Sequence, residues 1–190
     1  MSVISFQGYS EEDILQGCIK GDRRFQQMLY NLLSGKMFSV CMRYANDYST
    51  AQDLLQEGFV KVYKNIDKFR GEGSFEGWVR RIFVNTAIEH FRKQVNLYAL
   101  HDSEVKYYEF YDNNALENLK HEDITKMIQK LSDGYRTVFN LYVVEGYSHK
   151  EIGDMMGISE GTSKSQLARA RYLLQKMIAD TVGAAKSSNA

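Results

Sequence analysis

The chain runs for 190 residues without a single proline. Proline breaks helices because it lacks an N–H and its ring collides with the preceding turn. A chain that omits it leaves long helices uninterrupted and disfavours Pro-rich linkers. The hydrophobic spacing agrees: Phe25, Met28, Leu29, Leu32 and Leu33 recur at intervals of three and four, and the rhythm resumes through Met37, Val40, Cys41 and Tyr44. That is the period of one helical face. An all-α fold is expected.

Other helices can be placed the same way. Ser10 and Asp13 form a capping box with Asp in place of Glu, opening a helix with Ile14, Leu15, Cys18 and Ile19 on one face. Ser49 and Thr50 are expected to cap a helix carrying Leu54, Leu55, Phe59, Val62 and Ile66. A loop from Arg70 to Ser74 leads to a fourth helix with Phe75, Trp78, Val79, Ile82, Phe83 and Thr86. Lone Trp78, on an apolar stripe, reads first as core. The pattern then fails. Residues 99–123 carry seven acids against two bases, with an aromatic run at 107–111 and no helical period. This stretch reads as a solvated linker, with a docking or autoinhibitory role as the alternative.

Beyond it Ile124, Ile128 and Leu131 mark one helix, and Val138, Leu141 and Tyr142 a second that Gly146 can end. Ser148 to Glu151 is a full capping box ahead of Ile152, Met155 and Met156. A turn, Gly157-Ile158-Ser159, precedes a helix from about Glu160 to Ile178 with Ser163, Leu167, Ala170 and Leu174 on its inner stripe. Ser163 is the odd member, being polar. The tail from Gly183 is expected to fray. Two small helical domains joined by the acidic stretch result.

Composition excludes several classes. Hydrophobic residues make up 44% and aromatics 13%, too many for a disordered chain. Lys plus Arg equals Asp plus Glu at 24 each, so any nucleic-acid binding must come from segregated charge. Such segregation exists: residues 61–93 hold eight bases against four acids. Cys18 and Cys41 form no CxxC and fall on apolar faces, the pattern of buried inert thiols, and the four histidines lack metal-ligand spacing. No metal and no cofactor are expected. No catalytic Ser/His/Asp set, phosphate loop or HExxH is visible, so an enzyme is the remotest reading. Neither a signal-like N-terminus nor an apolar run of about 20 residues occurs, which makes a cytoplasmic protein without membrane insertion the expectation.

A capped helix, a short glycine turn and a longer amphipathic helix have the form of a helix-turn-helix. Lys164, Ser165, Gln166 and Arg169 are expected to point away from its inner stripe, with Arg171 and Lys176 beyond. Lysine and arginine can donate to guanine, and glutamine can pair with adenine in the major groove.

At this point the chain resembles a known family. The run from Ser159 through Thr162, Lys164, Ser165, Gln166 and Arg169 to Arg171 resembles the promoter-reading helix of bacterial RNA polymerase sigma factors of the extracytoplasmic-function group. Residues 51–59 and the stretches Phe69-Arg70-Gly71 and Trp78 to Ala87 resemble that group's polymerase-binding and promoter-melting region. Three motifs stand in the family's order. The resemblance implies region two over residues 10–97 and region four over 120–180, joined by the acidic linker at 98–119, with no separate region-three domain.

It also implies residue roles. Asp53, Leu54, Gln56, Glu57 and Phe59 would lie on the helix that docks on core RNA polymerase, although Leu54 and Phe59 are apolar enough to be core. Phe69, Arg70, Asn85, Glu89, Arg92 and Lys93 would read and hold the melted downstream promoter element, with Arg80 and Arg81 on phosphates. An unpaired base offers its edge and π face to amide and aromatic groups. Core polymerase, promoter DNA and an anti-sigma factor are the implied partners. This chain departs from the family at Leu131-Ser132-Asp133, where Leu-Pro is common and Ser132 can cap instead. Ser163 and Gln166 stand where the reading helix usually has Val and Arg, and Glu89 replaces Asp or Asn. The competing reading is a free-standing helix-turn-helix regulator with a sensing or dimerising N-terminal domain, which would need no docking helix at Asp53 to Phe59.

Overall fold

The computed structural model describes residues 8–98 and 121–187. Among them the secondary structure is helical, with no strand. Most of the expected acidic linker lies outside the described residues. The chain divides into two compact units, Met1–Ala87 and Ile88–Ala190.

In the first unit α1 spans Glu11–Ile19 and α2 Arg23–Tyr44. Ser10 Oγ accepts from the Asp13 N–H at 3.2 Å while the Asp13 carboxylate accepts from the Ser10 N–H at 3.0 Å, so the capping box is complete. The Ser10 hydroxyl, donating to the same carboxylate at 2.6 Å, and then the Ser10 N–H hold the Asp13 carboxyl below its usual range. Helix α3, Tyr48–Asn65, starts one residue ahead of Ser49 because Asp47 is its cap and accepts from the Thr50 N–H at 2.7 Å. The expected caps, Ser49 and Thr50, sit inside the first turn. A charged acceptor makes the stronger bond to the helix N–H groups, which decides the boundary. One 3-10 turn, Ile66–Lys68, and the glycine loop lead to α4, Phe75–Tyr98.

Leu29, Leu33, Met37 and Val40 of α2, Leu54, Phe59 and Val62 of α3, and Phe75, Val79 and Phe83 of α4 form the core. Each such side chain contributes about 1.5–3 kcal/mol when fully buried. Cys18 and Cys41 are buried with them, and burial pushes their thiols up to about 11 and about 12. Both stay protonated at neutral pH, the inert thiols that their helical positions imply.

In the second unit α5 spans His121–Gln129 and α6 Asp133–Phe139, which runs into a π-helical turn at Asn140–Val144. Next come α7, His149–Met156, and α8, Glu160–Ser187. Helix α8 therefore continues past Ile178, and residues 183–187, expected to fray, are helical. Met127, Ile128 and Leu131 pack with Ala170 and Leu174 of α8. Ser132 holds the N-cap position of α6, but its side chain makes no cap bond, which corrects the expectation drawn from the missing proline. Arg136, 2% exposed, serves this corner instead. Its Nη1 donates to the carbonyls of Gln129 at 3.0 Å and Leu131 at 2.9 Å, and its Nη2 pairs with Asp133. Carbonyls at a helix end need such donors.

Among the described residues no helix is long and apolar enough to cross a membrane.

Candidate nucleic-acid interface

The helix-turn-helix is built from caps and one tight approach. Ser148 Oγ accepts from the Glu151 N–H at 3.3 Å and Glu151 returns the bond to the Ser148 N–H at 2.8 Å, fixing where α7 starts. Gly157 ends it at φ 72, in the left-handed region glycine favours. The turn then folds so close that a Cβ on Gly153 would stand 2.8 Å from the Ile158 carbonyl oxygen. Ser159 opens α8 by accepting from the Thr162 N–H at 3.0 Å, and the two hydroxyls lie 2.8 Å apart. Thr162, expected among the upstream-reading residues, is thus also part of the α8 cap.

Lys164 is the most open of the expected reading residues. It pairs with Glu160 at 2.7 Å, but side-chain exposures of 60% and 52% make that a weak pair which DNA can displace. Ser165 is half-buried, its hydroxyl donating to the Thr162 carbonyl at 3.0 Å. Gln166 departs from the outward position expected of it. It is half-buried beside Gly134 of α6, where a Cβ would meet its Oε1 at 3.3 Å, and Oε1 is buried without a hydrogen-bond partner. Arg169 is half-buried with its guanidinium 5.4 Å from the Tyr172 ring, and Arg171 lies 5.7 Å from the ring of Tyr142. The reason is tertiary: α6 packs along α8 and covers part of a face that a helical wheel leaves in solvent.

Ser163, the polar residue on the inner stripe, is fully buried and accounted for. Its Oγ lies 2.9 Å from His149 Nδ1. The imidazole also stacks on Tyr142 at 4.5 Å and 20°. Burial, Lys164 and Arg171 hold His149 below its ordinary pKa, against the opposing pull of Glu160.

Along α4, Arg81, Asn85, Glu89 and Arg92 are exposed at spacings of four, four and three, which places them on one face of the helix. Lys93 is exposed beside them and Arg80 is half-buried. Near the start of the stripe Phe69, Phe75 and Trp78 form an aromatic cluster, with ring centroids 5.1 Å apart for Phe69 and Phe75 and 5.7 Å for each of the other pairs. Phe75 is buried whereas Phe69 and Trp78 are half-exposed, so Trp78 is only partly the core residue its setting suggests. It belongs to the candidate surface, and its spacing of three from Arg81 was the available signal. The loop feeding this cluster carries exposed Arg70 between Phe69 and two glycines, Gly71 at φ 75 and Gly73 at φ 85.

On α3, Asp53 and Gln56 are exposed, and Glu57 is half-buried and pairs with Lys61 at 2.9 Å. Leu54 and Phe59 are each 3% exposed, which corrects their expected place on a docking surface. Phe59 is occupied by the rings of Tyr30 at 4.7 Å and Phe83 at 5.3 Å. Val60, 50% exposed and four residues beyond Gln56, adds to the exposed stripe an apolar side chain that sequence reasoning passed over.

The Sigma-70 region 2 family model matches residues 29–96, and that of Sigma-70, region 4 matches residues 121–174. The chain is 32% identical to the ECF RNA polymerase sigma factor SigW of Bacillus subtilis (strain 168) over 174 residues, covering 85% of this chain and 92% of that one. It is 27% identical to the RNA polymerase sigma-H factor of Pseudomonas aeruginosa, over 88% of this chain and 93% of the relative. The ECF RNA polymerase sigma-E factor of Haemophilus influenzae is 26% identical over 89% and 95%. With both regions matched in order over helices that present these surfaces, the chain belongs to the extracytoplasmic-function group of sigma factors, which bind core RNA polymerase and direct promoter-specific initiation.

Proposed function

We propose that this sigma factor divides initiation among three surfaces: Asp53, Gln56 and Val60 of α3 dock on core polymerase, the α4 stripe captures the melted downstream element, and the head of α8 reads the upstream element. The observation that carries the division is the stripe Arg81, Asn85, Glu89 and Arg92 leading away from the Phe69, Phe75 and Trp78 cluster. Stacking surface, amide and cations together suit an extruded base and its backbone. Arg70, Arg80, Arg81, Arg92 and Lys93 supply phosphate affinity, and Asn85 with Glu89 supplies contacts to the base. In region four Lys164 is the leading base reader, supported by Ser165, while Gln166, Arg169 and Arg171 act from partly covered positions and Thr162 holds the helix start.

The domain limits that fit this division are 10–97 and 120–180, and the protein works in the cytoplasm, where polymerase and promoter are. It is a binding and positioning subunit, and the chemistry of RNA synthesis belongs to the polymerase. Family membership supports an anti-sigma factor as a further partner, one that would compete with core polymerase for the α3 surface.

The test is transcription in vitro with core polymerase over a promoter library. The full chain should select promoters with a fixed upstream element, and Lys164→Ala should lose on the order of 1–3 kcal/mol of discrimination at particular base pairs. Uniform weakening across all sequences would restrict Lys164 to phosphate contact, and no effect would place the wrong helix in the groove.

A further inference from the structure

A serine on the inner face of a helix has a local solution available, since its hydroxyl can donate to the carbonyl four residues back. Ser163 is instead paired across the turn: its Oγ meets His149 Nδ1 at 2.9 Å and the side chain has no solvent exposure. The bond joins the first residue of α7 to the first turn of α8. Its angular demands differ in kind from those of the apolar side chains buried on the same two helices, Ile152, Met156 and Leu167. Apolar contact favours burial but tolerates sliding, whereas a hydrogen bond fixes direction as well as distance.

The histidine is itself held. Its ring lies 4.5 Å from Tyr142 and nearly parallel to it, and Arg171 of α8 lies 5.7 Å from the same tyrosine ring. The residue following Ser163 is Lys164, whose exposed ammonium pairs with Glu160 at 2.7 Å. A shift at Ser163 therefore moves the base of the side chain expected to enter the groove.

We propose that His149 is a specificity-determining positioning residue for the upstream promoter element, acting through Ser163 to fix where Lys164 stands. This rests on the reading of α8 as the groove helix. His149 need not touch DNA to act this way. The family's usual valine at 163 fills similar space without a directional partner, so in this chain the His149–Ser163 pair supplies orientation that apolar packing alone does not.

The experiment uses holoenzyme assembled from the full chain and core polymerase, with competition among promoters permuted at each upstream base pair. The variants are His149→Ala, Ser163→Val, the double variant, His149→Asn and Lys164→Ala. Asparagine keeps a polar atom near the Nδ1 position, and valine preserves packing at 163. His149→Ala and Ser163→Val should each reduce discrimination at the base pairs read by Lys164 by about three- to tenfold, with the double variant no worse than either, as expected of contacting residues. His149→Asn should recover most of the loss. Intact discrimination in both single variants alongside a loss in Lys164→Ala would overturn the proposal, as would strictly additive losses or failure of His149→Asn to rescue. If Lys164→Ala also has no effect, the reading of α8 itself fails, a result distinct from failure of the positioning role alone.

Discussion

Gly58 and Phe83 meet so closely that a Cβ at position 58 would stand 2.3 Å from the Phe83 ring. This contact lets α3, with exposed Asp53 and Gln56, lie directly on α4, with the exposed stripe from Arg81 to Arg92. Because backbone of one helix touches side chain of the other, the two surfaces are held by one packing decision. Gly58→Ala should cost about 1–3 kcal/mol, the usual penalty of overpacking a filled core, even though alanine is the better helix former. Chemical denaturation of the full chain checks it, and a variant as stable as the parent would mean that the Phe83 ring moves aside freely.

Replacing Asp53 and Gln56 together with alanine should separate docking from folding. Both are exposed on α3. Stability should change by no more than about 0.5 kcal/mol per site, whereas affinity for core polymerase falls, because polar contacts at a partner surface cost little until the partner is present. Titration against core enzyme reads this directly. Val60→Asp should weaken the same binding, since it places a charge where an exposed apolar side chain stands.

Asn85→Ala should leave polymerase binding and upstream recognition in place yet impair opening of duplex promoters. Unstacking a base costs a few kcal/mol that contacts to the extruded base must offset, and the lost amide removes some of them. A promoter with a pre-melted bubble avoids most of that cost, so the defect should be partly rescued there. Permanganate footprinting on both templates shows the difference, and equal opening by variant and parent on duplex DNA would move the melting role elsewhere between Phe69 and Lys93.

Acid should loosen the second unit through His149. Its folded pKa lies below 6.5, chiefly through burial and then the charges of Lys164 and Arg171, with Glu160 opposing. The unfolded chain therefore takes up the proton first. The stabilisation is present above pH 6.5 or so and is lost as pH falls through the folded value. Glu151 and Glu160, both held below their usual range, titrate at lower pH and leave this window to the histidine. Thermal melts between about pH 5 and pH 7.5 should show the slope in the parent and a flatter profile in His149→Asn.

Much of the architecture was written locally. The capping boxes at Ser10 and Ser148, the glycine at 157, the apolar stripes and the missing proline act over one helical turn, so their outcome is legible without knowing what packs against them. Burial of Leu54 and Phe59 was foreshadowed by their apolar character, and Asn85, Glu89 and Arg92, named through the family resemblance, prove to share one exposed face with Arg81. The start of α3 was misplaced because two hydroxyls and a carboxylate competed for one set of N–H groups within three residues.

Contacts between helices decided the rest. Gln166 looked outward on its own helix, but α6 covers it, and a helical wheel has no knowledge of a neighbour. Trp78 looked like core because apolar residues surround it in sequence, yet it is only half-buried. Ser163 looked like an error in an apolar stripe until the turn brought His149 to within 2.9 Å of it. The sequence by itself determined the helices, their order, the basic and acidic segments and the family. Which side chains of those helices remain open to polymerase and DNA was decided by the tertiary structure alone, because exposure is a property of the partner helix as much as of the residue.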